Sequence, residues 1–300
     1  MQRFSREQKV YSIGGIQIGG HPGERPTVLI GSIFFSKHKI VSDPLMGIFD
    51  KDKARALLEQ ETKAAASTAN PRIIDPIGDS ANALINYIEF VAAHSDAPIL
   101  VDSPQQKARV EALRHFAGSE IIPRLIYNSI GEDFTEEELH CIKESGVKSA
   151  VILAFSTTAM KPKDRVKLLK EKLLPAAERA GIEHILVDPG ILDIPSVSWA
   201  AQAIYMIKEE LGYPAGCAPS NALFQWEKLR KQGASAFHAA AASVFALTQF
   251  EGADFLLYGP MRFAPWVYPA CAAIDALMAY GGRFRGIRPV SREHPLYKIF

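Results

Sequence analysis

The sequence predicts an α/β chain folded as one (β/α)₈ TIM barrel with a β-hairpin ahead of it. Three observations carry that expectation. Eight short apolar runs alternate with helical patterns from residue 27 onward. The runs are continuous, such as VLI and ILV, as parallel strands buried on both faces should be. Eight strand–helix units in about 250 residues is also the arithmetic of a closed barrel. An open doubly wound sheet is the structural alternative, but no GxGxxG stands at a strand–helix junction, so a dinucleotide fold lacks its usual signature.

Residues 1–26 contain two β-prone runs around Gly14-Gly15, a hairpin signal, and are expected to plug the bottom of the fold. The barrel occupies 27–282. Strands are expected at 27–34, 71–78, 97–103, 122–129, 148–156, 184–190, 214–220 and 253–260, the seventh being the poorest. Asp50 is a plausible N-cap for the first helix. The third helix should start near Pro104, a favoured first-turn residue. TEEELHCIKESG reads as a helix with an acidic start and Gly146 at its end. Further helices are expected over about 163–180 (ending at Gly181), 196–211, two pieces across 222–249, and 264–280. The tail, 283–300, should wrap the surface or meet a partner.

Composition narrows the function. A formal charge of +1 and the lack of a basic run give no footprint for nucleic acid. Cys141, Cys217 and Cys271 are odd in number and widely spaced, which argues against a disulfide framework or a cysteine zinc site. The N-terminal stretch MQRFSREQKVYSIGG is charged and lacks an apolar core, so a signal peptide is not expected, and no apolar stretch reaches membrane-span length. A cytoplasmic protein is the expectation.

In a barrel of this kind, functional groups sit where strands end at the C-terminal rim. Here those positions hold Ser32, Asp75, Asp102, Asn128, Asp188 and Asn221. Each could instead cap the following helix, since Ser, Asp and Asn are standard N-cap residues. Asp75 and Asp188, however, precede proline, which holds them extended and delays the helix. No lysine ends a strand, so a Schiff-base aldolase is not indicated. No histidine does either: His184 starts a strand, and His21 and His38 are read as solvated loop residues. Asp75, Asp102 and Asp188 could together hold a hard cation. The reading that remains is recognition of a polar heterocycle, because carboxylates accept N–H bonds and carboxamides both donate and accept. A pterin edge presents that mixture.

At these residues the chain resembles the H subunit of tetrahydromethanopterin S-methyltransferase and the related corrinoid:tetrahydrofolate methyltransferases, with glycine betaine-type systems the nearest likeness. The resemblance runs nearly full length, through REQKVYSIGGIQIGG, VLIGSIFFSKHKIV, GIFDKDKA, IIDPIGD, ILVDS, YNSI, ILVDPG and PSNA. It implies a homodimeric barrel binding tetrahydropterin in its rim, with methylcobalamin delivered on a separate corrinoid protein and no resident metal. It implies tetrahydrofolate as methyl acceptor, with tetrahydromethanopterin, or a non-catalytic pterin-binding subunit, as the alternative. Asn221 would hydrogen-bond N5, and Asp75 would relay a proton. Asp188 and Asn128 would grip the pyrimidine edge, with Ser32 and Asp102 as further pterin contacts. CAPSNALFQW, the lead-in to and segment after Asn221, departs from distant relatives. A dihydropteroate synthase-like enzyme is the rival on the same scaffold. It would want a strand-end lysine, which Lys161 is not, and an arginine near the last strand, where Arg262 stands. The long segment SKHKIVSDPLMGIFDKD could cover the pterin or meet the corrinoid protein, and RFAPWVYP could shape the mouth.

Overall fold

The computed structural model describes residues 3–300; Met1 and Gln2, the start of the charged N-terminal stretch, lie outside it. Eight parallel strands form one sheet: β3 (Val28–Ile33), β6 (Arg72–Pro76), β7 (Ile99–Asp102), β8 (Leu125–Ile130), β9 (Ser149–Leu153), β10 (His184–Asp188), β11 (Gly216–Cys217) and β12 (Phe255–Pro260). The order runs β10-β9-β8-β7-β6-β3-β12-β11. A bridge between Val187 and Ala215, with Val187 N–H donating to the Pro214 carbonyl at 2.9 Å, brings the two ends together. The barrel is therefore nearly closed, as the alternation of elements predicts.

Strand side chains alternate with a period of two. Val28, Ile30, Ile73, Leu100, Ile126, Val151, Leu186 and Phe255 consequently point inward and form one apolar cluster. Their neighbours Leu29, Ile74, Val101, Tyr127, Ile152 and Val187 point outward and join the larger cluster under the helices. The hairpin, β1 (Val10–Ile13) and β2 (Ile16–Gly19), turns through Gly14 and Gly15, both at positive φ, which suits glycine in a two-residue turn. Its Ile13 and Ile18 join the inner cluster, so it plugs the barrel floor.

Helix ends follow the local signals in several places. Asp50 accepts from Lys53 N–H and caps α1 (Lys51–Thr68). Thr135 caps α4 (Glu136–Ser145), which ends on Gly146 in the left-handed conformation. Between β3 and α1, a short antiparallel pair, β4 (Val41–Asp43) and β5 (Ile48–Phe49), orders the segment read as a long polar loop. α2 (Ala81–His94) follows β6, and α3 (Gln106–Phe116) begins two residues after Pro104.

The strand expected from 122 begins at Leu125, after a 3-10 turn over Ile122–Arg124, and two helical segments also differ from expectation. The single helix over 163–180 is instead α5 (Pro162–Leu168), a wide turn over Leu169–Leu173, and α6 (Leu174–Arg179). Pro175 has no N–H to continue the α pattern, and a π turn absorbs the missing bond. After α7 (Val197–Leu211) and the two-residue β11, three helices rather than two follow: α8 (Pro219–Gln225), α9 (Glu227–Arg230) and α10 (Ala234–Phe250). Pro219 sits in the first turn of α8, so the chain turns helical earlier than the sequence pattern suggests. α11 (Ala264–Gly282) closes the ring. The tail lies over the barrel, burying Ile287 and His294 before a short α12 (Pro295–Lys298).

Candidate active site

Going two residues up each strand from the apolar floor reaches a polar tier. Ile30 is followed by Ser32, Ile73 by Asp75, Leu100 by Asp102, Ile126 by Asn128 and Leu186 by Asp188. The same periodicity that turns the floor residues inward turns these inward at the rim. Within this run of strands β9 breaks the series, with Leu153 in that place.

Four of the tier residues form one connected side. Ser32 lies beside Asp75 in the β3–β6 register, and its Oγ donates to Asp75 Oδ2 at 2.8 Å. Asp102 lies beside Asn128 in the β7–β8 register, and bridges to Ile77 just beyond Asp75. Asp75 Oδ1 is buried and accepts from no N–H or hydroxyl group. Burial, then the nearby Asp102 carboxylate, pushes the Asp75 pKa well above the usual carboxylate range, against the Ser32 bond. Burial also raises Asp102, opposed by Asp75, Arg109 and Asn128. The pair keeps a proton to higher pH than an ordinary carboxylate does. The two carboxyl groups share that proton side chain to side chain, so Asp75 and Asp102 act as one buried proton-holding pair behind Ser32.

Asp188 stands across the barrel and has local work: its Oδ1 accepts from Gly190 N–H at 2.7 Å. Burial raises its pKa to about 6, opposed by that N–H and by Arg165. Asn221 is not at a strand end. It is exposed in the first turn of α8, because β11 stops at Cys217. It nevertheless lines a cavity of about 320 Å³ together with Ser32, Phe35, Ile77, Ser220 and Arg262. Ser32 and Asn221 thus face that cavity directly, and Asp75 sits behind Ser32. The volume is at the small end of ligand pockets, about 300–1,000 Å³.

Among the described residues no group of three or more His, Cys, Asp or Glu side chains is placed to hold a metal ion, so Asp75, Asp102 and Asp188 do not form the cation cluster that their strand-end positions allow. Lys161 is an exposed residue at the start of α5. His38 is buried rather than solvated: its Nδ1 accepts from Phe34 N–H at 3.1 Å, and burial followed by Arg262 lowers its pKa to about 4.

Two arginines, Arg165 buried and Arg109 half-buried, support the rim, and the sequence gives no local sign of them. Arg109 of α3 donates to the Ser103 carbonyl at 2.7 Å and reaches the Ser129 carbonyl at 3.5 Å. Those residues directly follow Asp102 and Asn128. Arg109 is held by the Tyr127 hydroxyl and by Glu138, which also bond each other. Arg165 of α5 donates to the Met160 carbonyl at 2.8 Å and the Gly190 carbonyl at 2.9 Å, joining the loops after β9 and β10. Each arginine fastens two neighbouring strand-end loops with one planar fork.

Fold and rim define a (β/α)₈ barrel with a polar inward tier at its C-terminal mouth. The same fold occurs in dihydropteroate synthase of Xanthomonas albilineans in complex with 7,8-dihydropteroate, with TM-score 0.61 at 19% identity, covering 90% of this chain and 98% of that one. The chain belongs to the family described as tetrahydromethanopterin S-methyltransferase MtrH subunit, whose model matches residues 6–290. It is 36% identical over 313 residues to the H subunit of tetrahydromethanopterin S-methyltransferase from Methanopyrus kandleri, covering 97% of each chain. It is also 36% identical over 309 residues to the H subunit of a putative methyltransferase, mtx, from Methanosarcina barkeri, covering 99% of each. The family is one of methyltransferases. No helix among the described residues is long and apolar enough to cross a membrane.

Proposed function

We propose that this chain moves a methyl group between the cobalt of a corrinoid carried on a separate protein and N5 of a tetrahydropterin. The observation that carries the reading is the inward tier, in which the Asp75–Asp102 pair keeps a proton beside Asn128 and behind the cavity-lining Ser32. Family membership supports methyl transfer as the reaction class. The relatives' names support tetrahydromethanopterin as the pterin, over the tetrahydrofolate and glycine betaine system that the sequence resemblance favours.

Toward the pterin, the N5 lone pair forms the new bond to the methyl carbon. The electron pair of the Co–C bond stays on cobalt, and the proton on N5 must leave. In the reverse direction that proton must be supplied. The protein's part is placement of two large reactants and movement of one proton. Asp75, raised in pKa and linked to the cavity through Ser32, takes or gives it. Asn221 holds N5 from the α8 side, and Asp102, Asn128 and Asp188 hold the ring edge.

The test is to mix the purified chain anaerobically with methylcobalamin, free or on a corrinoid protein, and with tetrahydromethanopterin or tetrahydrofolate. Loss of the methylcobalamin absorption with formation of the N5-methyl pterin, slowed in Asn221→Ala, is the expected result. Which pterin reacts decides between the two. No turnover with either would overturn the catalytic reading in favour of a pterin-binding subunit.

The cytoplasm remains its proposed compartment, and the three free, buried thiols suit a reducing one. A homodimer is proposed with it. Supporting that, Leu247 and Phe250 on α10 and Leu277 and Tyr280 on α11 are exposed apolar residues on adjacent helices. Leu277→Arg is expected to shift a dimer to monomer by sedimentation.

A further inference from the structure

A second cavity, of about 580 Å³, lies beside the first, walled by the segment after β3 and by α1. The two share Phe35 and Arg262. Lys37, Lys39, Lys53 and Arg262 line the larger one, and no carboxylate does. Asp50 engages Lys53 at 2.9 Å, whereas Lys37, Lys39 and Arg262 make no ion pair among the described residues. The shared wall is aromatic and braced. Phe35 stacks on His38 with ring centroids 4.4 Å apart, and His38 is fixed by its bond from Phe34 N–H.

We infer that this cavity binds the acidic tail of the tetrahydropterin whose ring occupies the cup. The inference rests on the pterin reading and extends it. Such substrates are linear: a reduced ring, an aryl group, then a tail ending in carboxylates or phosphate. The structure has the matching succession, from polar tier to aromatic wall at Phe35 to cations at Lys37, Lys39 and Arg262. Unpaired cations grouped around a concave space, with no acid among them, attract an anion, and the concave walls concentrate that field. A neutral or cationic tail would gain nothing there.

Calorimetric titration with three ligands tests this: a tail-less 6-methyltetrahydropterin, tetrahydrofolate pentaglutamate, and tetrahydromethanopterin. The wild type is expected to bind at least one acid-tailed ligand about 10-fold or more tighter than the bare head, with the advantage shrinking as salt rises. Lys37→Ala/Lys39→Ala should erase most of that advantage, and Lys37→Glu/Lys39→Glu should reverse it. Both variants should leave head-group affinity within about twofold, since these lysines are exposed and outside the cup. A larger gain for the pentaglutamate shows that carboxylates alone satisfy the cavity; a larger gain for tetrahydromethanopterin shows that it fits the tail that carries both phosphate and carboxylates. No gain from either tail, or equal weakening of head and tailed ligands, overturns the inference while the pterin reading stands. Failure of the wild type to bind any of the three overturns both.

Discussion

Ser32 and Asp75 are register partners on β3 and β6, and the serine hydroxyl donates to the carboxylate at 2.8 Å. The bond ties the one tier residue that lines the small cavity to the carboxyl group best placed to keep a proton. It satisfies Oδ2, while the carboxyl group also shares a proton with Asp102.

Asp75→Asn keeps the shape and the Ser32 contact but removes the proton carrier. Methyl transfer is expected to slow by about 10²–10⁴-fold, the usual range for a lost general acid or base. Pterin affinity should change far less. Single-turnover absorbance at several pH values checks this, and an unchanged rate at every pH would remove Asp75 from the proposed proton path.

Arg165→Lys preserves the charge but not the fork that joins the Met160 and Gly190 carbonyls. One buried carbonyl then loses its donor, a cost of about 1–3 kcal/mol. Because Gly190 N–H positions Asp188, KM for the pterin is expected to rise about tenfold with a smaller effect on kcat, an estimate at the scale of one hydrogen bond. Equal loss of stability with an unmoved KM would make Arg165 merely structural.

Glu61 is fully buried in α1 behind the barrel, accepting from the Tyr258 hydroxyl at 2.6 Å, and burial raises its pKa to about 7. The folded state therefore holds a proton that the unfolded chain releases near pH 4.5. Its contribution to stability is full below the unfolded pKa and disappears as pH rises toward 7, an effect of about 3 kcal/mol. Glu61→Gln is expected to flatten this part of the pH dependence in urea titrations run between about pH 4.5 and 8. An unchanged slope would mean Glu61 titrates normally.

Lys208 of α7 is fully buried, with Nζ 2.6 Å from Asp254 and 2.9 Å from the Gly20 carbonyl. It pins the segment after the hairpin to the β12 end of the barrel. Lys208→Met strands the Asp254 charge and should cost about 3–5 kcal/mol. Adding Asp254→Asn should recover part of that loss, as measured by chemical denaturation; an additive double variant would show that the two charges are not coupled.

The barrel is legible because its signal is local. A strand's side chains alternate whatever the rest of the chain does, so the runs IIDP, LVD, IYN and LVDP already place Asp75, Asp102, Asn128 and Asp188 at strand ends. Hairpin, caps and strand order of appearance are equally short-range. Asn221 departs from its expected strand end because a two-residue β11 is too short to leave a pattern, and Pro219 begins a helix in its stead. His38 reads as a loop histidine until Phe35 and the Phe34 amide close around it. Arg109, Arg165 and Glu61 are ordinary charged residues on helical faces in the sequence. What they do depends on carbonyls and hydroxyls of other elements. Closure of the barrel brings β3 against β12, so Phe35 and Arg262, from opposite ends of the chain, share the wall between two cavities. Backbone periodicity determines which way a side chain points and can be read in the sequence. Which group it meets depends on contacts between distant segments, and only the packed tertiary structure decides those.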